Sequence, residues 1–335
     1  MSSAYTGTTA ALPSLLDTRG ESAGFYQFPD RYGMVQTVLG AIDPSKLGFT
    51  LTHEHICKSA EEQFGSRVSS VAKAVDKLKE ARDEGVHTIV DVTTFDVGRD
   101  VRFGQEVSRR SGVNIVACTG QHMFAPESYH TRTVAEVAEL FVKEIEKGID
   151  DTDIKAGVIK VAARSGTLTP AEVNVFKAAA RASKATGVPV TTHTNSRQRG
   201  GEAQAAIFRE EGLRASAVVL GHSNDTDDMS YLLGLARRGY TLGMDHAFWG
   251  AAPRAALSWQ RRVECIKELV DAQFVSHLFL SNDWVFGDAE RDNLNPDGLL
   301  YTTRKTIPYL RRIGVSRQAI HAMVVENPRR IFGTR

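Results

Sequence analysis

The stretch GVIKVAARSGTLTPAEVNVFKAAARASKATGVPVTTH, residues 157–193, is one complete strand–helix–strand unit. Gly157–Ala162 is a short apolar run with β-branched residues, and Ala171–Thr186 reads as a helix. Gly187 stands just past that helix, where a left-handed cap favours glycine. Val188–His193 is the next apolar run. The same unit recurs on both sides. Further runs are Leu47–Thr52, Thr88–Thr93, Asn114–Thr119, Ala217–His222, Tyr240–Met244 and Leu278–Asn282. Helical stretches at Val68–Asp83, Val101–Ser111, Val134–Lys147, Gly201–Glu211, Asp228–Arg238 and Ser258–Ala272 lie between them, and Thr302–Gly314 and Arg317–Glu326 follow the last. Eight strands alternating with helices imply parallel pairing with the helices outside. A closed barrel and an open doubly wound sheet both satisfy that alternation. The regularity of the units, and the lack of a glycine-rich dinucleotide loop after the first strand, favour an α/β fold of the (β/α)₈ TIM-barrel type. Residues 1–33, rich in Ser, Thr, Gly and Ala without a period, read as a short irregular N-terminal arm. Residues 34–335 read as one barrel domain.

Composition narrows the function. The 335 residues are 42% hydrophobic, ample for a full core, and 41 Lys and Arg against 40 Asp and Glu leave a net charge of +1. That balance argues against nucleic acid or an anionic membrane as partner, since both usually demand a basic stripe. The paired arginines (Arg109–Arg110, Arg237–Arg238, Arg261–Arg262, Arg311–Arg312) are dispersed and read as solvated outer faces of helices. Three scattered cysteines form neither a disulfide framework nor a zinc ribbon. With no signal peptide and no membrane span visible, the expectation is a soluble cytoplasmic protein.

In a barrel, working residues sit at the C-terminal ends of strands and on the loops beyond. Those ends read Thr52-His53-Glu54-His55, Val158-Ile159-Lys160-Val161, Thr192-His193-Thr194, Gly221-His222-Ser223, Asp245-His246 and Ser281-Asn282-Asp283-Trp284. Five of the ten histidines thus converge on one mouth, with imidazole and carboxylate donors that suit divalent ions. His53 and His55 are two apart on a strand and face the same way, so one segment can supply two ligands. His193 and His222 end neighbouring strands and can share a second ion. Asp283 lies beside the first strand once the barrel closes. Lys160 sits in an apolar central strand, where an unpaired ammonium is costly. It either pairs with Asp283 or another acid, or its amine carries a carbamate that bridges two metals. No G-x-S-x-G elbow is present.

The segments Thr52–Ile56, Val158–Ala162, Thr192–Thr194, Gly221–Asp225 and Ser281–Trp284, with Thr94–Val101 and Asn295–Gly298, resemble the phosphotriesterase family of the amidohydrolase superfamily. The resemblance runs from about residue 34 onward. It implies that His53, His55 and Asp283 hold one divalent ion and His193 and His222 another, bridged by a carboxylated Lys160 and a hydroxide. It further implies that Asp283 takes a proton and passes it through His246 and Asp225, and that the chain pairs as a homodimer. Zinc is the expected metal, with cobalt, manganese and iron served by the same ligands.

Substrate choice belongs to the loops. Phosphotriester-cleaving members carry aromatic residues just after the counterpart of Thr119-Gly120, where this chain has Gln121-His122-Met123-Phe124. The loops Ala247–Leu257 and Val285–Leu294 are short. His122, Met123, Phe124, Trp249, Trp284 and Phe286 are the expected pocket lining. The expected function is metal-dependent hydrolysis of phosphotriesters or activated aryl esters. The alternative is a lactonase or carboxylic ester hydrolase with phosphotriesterase side activity.

Overall fold

A small hairpin, Val35–Thr37 (β1) and Gly40–Ile42 (β2), precedes the barrel. The barrel strands are Phe49–Glu54 (β3), Val86–Asp91 (β4), Asn114–Val116 with Cys118–Gln121 (β5 and β6), Val158–Ala162 (β7), Val190–His193 (β8), Val218–Leu220 (β9), Thr241–Met244 (β10) and Leu278–Leu280 (β11). This computed structural model describes residues 33–122, 131–251, 255–288 and 295–333. All but the last residue of the expected N-terminal arm, together with Met123 and Phe124, therefore lie outside the described residues.

Every barrel pair is parallel, in the order β3-β4-β5 and β6-β7-β8-β9-β10-β11. Ala117 alone separates β5 from β6, so these two runs form one continuous (β/α)₈ TIM barrel. The third strand thus reaches Gln121, two residues past its expected end. The ring closes beyond β11: Asp283 N–H donates to His53 C=O (2.9 Å), His55 N–H to Trp284 C=O (2.8 Å) and Phe286 N–H to His55 C=O (2.9 Å).

The barrel interior explains where the site sits. Val158, Val219 and Phe279 belong to an apolar plug that also holds Val35, Leu47, Val90, Val116, Cys118, Ile331 and Phe332. Side chains two residues further along a strand face the same way. Lys160 therefore stands above Val158, Gly221 above Val219, and Ser281 above Phe279. The plug fills the lower barrel and the polar side chains fill the top. Two glycines make room there. A Cβ on Gly221 would lie 2.1 Å from Thr192 O and 3.1 Å from His53 Cε1, and one on Gly243 would lie 2.7 Å from Asp245 Oδ2.

The helices form the outer layer with conventional starts. Thr133–Glu136 and Thr169–Glu172 are reciprocal capping boxes, and Pro170 occupies the first turn of its helix. Two departures from expectation have a common cause. Thr302–Gly314 opens as a π turn, Thr302–Thr306, before Ile307–Arg312. Arg317–Glu326 becomes Arg317–His321, a π turn over Ala322–Glu326, and a further helix Asn327–Phe332. Pro308 and Pro328 sit just after the π turns. A proline offers no N–H and crowds the preceding turn, so the helix widens ahead of it. The solvated-face reading fails for one arginine pair member: Arg262 is 1% exposed. Among the described residues, no helix is long and apolar enough to cross a membrane.

Candidate metal centre

The strand ends bring His53, His55, Lys160, His193, His222 and Asp283 together at the mouth. His55 Nε2 is 3.3 Å from Asp283 Oδ1, and His53 Nε2 is 3.8 Å from the same oxygen. These three residues could hold one metal ion, their donor atoms lying within 4.8 Å of one another. Lys160 Nζ lies 2.7 Å from His53 Nε2, and His193 Nδ1 lies 2.8 Å from His222 Nε2. Lys160 is completely buried. His222 and Asp283 have φ of 55° and 54°, a region that non-glycine residues enter at a cost and that clusters at functional sites.

Two imidazoles are held by hydrogen bonds from behind, and a third faces a carboxylate on the same side. Thr93 Oγ1 donates to Asp91 Oδ2 (3.3 Å) and so accepts from His55 Nδ1 (3.1 Å). Asp245 Oδ1 accepts from both the backbone N–H and Nδ1 of His222, at 2.8 and 2.9 Å. Asp245 Oδ2 faces His53 Nδ1 at 3.1 Å. In His55 and His222 the proton then sits on Nδ1 and the Nε2 lone pair faces the centre, the arrangement in which histidines ligate metals. Asp245 therefore serves His53 and His222, whereas the carboxylates that flank His246 are others. His246 Nε2 is 3.0 Å from Asp283 Oδ2 and its Nδ1 is 3.1 Å from Asp225 Oδ1. The sequence reading missed what stands behind Asp225. Buried Arg262 donates from Nη1 to the Asp225 carboxylate and to Asn224 C=O, while Asn224 Oδ1 accepts from His246 N–H.

The electrostatics of these groups suit them to hold a cation. Burial is the main force lowering the imidazoles, His53 to about 3 and His193 well below its ordinary value. They are neutral at physiological pH. Burial opposes ionisation of Asp283 and Asp245, but the neighbouring histidines outweigh it and hold both carboxyls well below the usual range. Burial would also lower His246; Asp225 and Asp283 overcome it and raise the imidazole to about 10. Burial brings the Lys160 amine down to about 8. Neutral nitrogens 2.8 Å apart beside an ionised carboxylate are a donor set that divalent cations fit.

A cavity of about 240 Å³ opens over the centre, lined by His55, Lys58, Thr93, Val97, His122, His193, Asp283, Val285 and Asp288. His122 lies in it, its ring centroid 5.4 Å from that of His193. Trp249 is half-buried, with its ring centroid 5.3 Å from that of His246. Two expected lining residues are placed elsewhere. Trp284 and Phe286 are each 3% exposed and belong to the core, Phe286 packing on Phe64 and Phe103. The closing ladder turns Val285, between them, towards the cavity and directs both aromatics away.

A family model described as "Phosphotriesterase family" matches residues 33–332. The chain is 35% identical over 320 residues to a "Phosphotriesterase homology protein" of Mycobacterium tuberculosis, covering 89% of this chain and 97% of that protein. It is 32% identical over 308 residues to an "Aryldialkylphosphatase" of Saccharolobus solfataricus (87% and 97% covered). It is 30% identical over 330 residues to a "Phospho-furanose lactonase" of Mycoplasmopsis synoviae (89% and 91%).

Proposed function

This chain belongs to the phosphotriesterase family, and from that premise we propose that it is a hydrolase dependent on two divalent ions, cleaving small-molecule lactones or carboxylic esters ahead of phosphotriesters. The observation that carries the reading is the common orientation of His55 and His222, whose Nδ1 atoms are hydrogen-bonded from behind while Nε2 faces the other candidate ligands, with His53 Nδ1 turned likewise towards Asp245. His53, His55 and Asp283 would hold one ion and His193 and His222 the other, zinc being our choice. The preference for lactones rests on the cavity wall. Among the described residues that line it, the rings are imidazoles, with Trp284 and Phe286 withdrawn into the core. An aryl leaving group finds little there to pack on. The relative named as an aryldialkylphosphatase supports phosphotriesters as the second reading.

Lys160 would serve both ions as a carbamate: its neutral amine adds to carbon dioxide and loses a proton, leaving a carboxylate-like group. When bound, the ions would lower the pKa of a water between them and polarise the scissile carbonyl or phosphoryl oxygen. Asp283 Oδ2 then takes the proton released as water attacks. His246 touches Asp283 through Nε2 and Asp225 through Nδ1, so a proton arriving on one side is matched by one leaving on the other. Arg262 fixes Asp225 at the outer end. Asp225→Asn keeps the shape but removes the charge facing His246. It is expected to lower kcat about ten- to a hundredfold at unchanged metal content, in the range seen for outer partners of metal ligands. An unchanged kcat would remove Asp225 from the proton path.

The test joins metal analysis to rates on an aryl phosphotriester, an aryl acetate, a γ-lactone and a δ-lactone. About two ions per chain are expected, with fastest turnover on a lactone. After equilibration with ¹³C-bicarbonate, a carbamate resonance absent from Lys160→Ala is also expected. Fastest turnover on the phosphotriester would shift the substrate to the second reading. No metal and no turnover would overturn both.

A further inference from the structure

We propose that Lys58 and His122 form an anion-binding subsite beside the metal centre, selecting ester or lactone substrates that carry a carboxylate or phosphate group away from the scissile bond. This rests on the hydrolase reading above. Lys58 follows the ligand His55 by three residues, where the chain turns back with Lys58 N–H donating to Ile56 C=O (2.7 Å). Its side chain lines the same cavity as His55, His193 and Asp283. Some lysines elsewhere pair with acids, such as Lys77 with Glu80, Lys177 with Glu210 and Lys267 with Asp271. Among the described residues, the Lys58 ammonium has no such partner, although it is half-buried.

His122 supplies the second, independent sign. Its backbone is pinned by the Asp96 carboxylate, which accepts from His122 N–H at 3.0 and 3.2 Å. Its Nδ1 is buried and has no hydrogen-bond partner among the described residues. A buried polar nitrogen without a partner is costly and uncommon in a native protein. Here it belongs to a ring that lines the cavity. The carboxylates in the wall do not fill the need. Asp283 is taken up by His55 and His246, and Asp288 is engaged by a partner of its own. A cation and a polar nitrogen without partners, both lining one cavity next to the reaction centre, are complementary to an oxyanion. The chemistry selected is a carboxylate or phosphate substituent on the substrate.

The test uses the metal-loaded full chain and two readouts. The first compares γ-valerolactone with the γ-lactone in which the methyl is replaced by a carboxylate. The second is calorimetric binding of glutarate against butyrate, which differ by one carboxylate and are not hydrolysed. In the wild type the member of each pair that carries the additional carboxylate is expected to be favoured about tenfold or more, the scale of a hydrogen bond to a charged group. Lys58→Met is expected to erase both preferences, and Lys58→Arg to retain them. A wild type without preference in either readout, or a Lys58→Met variant that keeps the preference, would overturn the subsite. If neither lactone is turned over, but glutarate is preferred and Lys58→Met abolishes that preference, the subsite stands and the lactone preference fails.

Discussion

His55→Ala is expected to reduce kcat/KM by more than about a hundredfold on every substrate the protein turns over, with loss of bound metal. The estimate follows from a comparison: partners that merely orient a metal ligand cost 10–100-fold when removed, and His55 is proposed as the ligand itself. Its Nε2 is 3.3 Å from Asp283 and its Nδ1 is fixed by Thr93. Thr93 and Asp91 are already engaged behind it. The ring is 8% exposed and packs beside a solvent-filled cavity rather than in the apolar core, so the fold is expected to survive. Elemental analysis and a melting curve on the same sample separate the two effects. Full turnover in this variant would end the shared mechanism for lactones and phosphotriesters alike.

Glu54→Ala is expected to strike stability instead. Glu54 lies between His53 and His55 but points the opposite way, into the seam where the last strand meets the first. Its carboxylate accepts from Ser281 Oγ (2.8 Å), Asn282 N–H (2.9 Å), Asn282 Nδ2 (3.1 Å) and Trp284 N–H (2.7 Å). Asn282 is tied onward to Thr302 and Leu299. Removing the acceptor leaves two backbone and two side-chain donors facing each other in a fully buried site. Each buried group left unsatisfied costs about 1–3 kcal/mol, so a loss of at least about 3 kcal/mol is expected in urea unfolding. Burial, helped by the Asp283 charge, pushes the Glu54 carboxyl well up, against the hydrogen bonds from Ser281, Trp284 and Asn282. A loss under about 1 kcal/mol would mean that the backbone bonds around His53 and His55 close the barrel unaided.

The ligand strands were legible because their chemistry is local. In Thr52-His53-Glu54-His55, alternation assigns both imidazoles to one face without knowledge of any partner. Lys160 drew attention because a charged residue in an apolar strand has few explanations. The unread features depend on distant pairs. Nothing near Glu54 announces that its acceptors serve residues 227 to 230 positions away. Arg262 shares its dipeptide with Arg261, which pairs with Asp227 and Glu268 on the surface. One residue further round the helix, Arg262 turns inward to Asp225. Trp284 and Phe286 misled for a related reason: their nearness to Asp283 in sequence says nothing of which face the closing ladder gives them. The hairpin β1–β2 has only three residues per strand, too few to show a period.

The left-handed backbone at His222 and Asp283 sets fold and chemistry against each other at those two positions. Glycine is the residue that such a conformation prefers, and it is also the residue with no donor atom to offer. A lineage under pressure for catalysis must keep two uncomfortable residues in place generation after generation. Once that pressure lifts, drift at both sites runs downhill. Positions 222 and 283 are therefore where a barrel of this kind would first record that it had stopped being an enzyme.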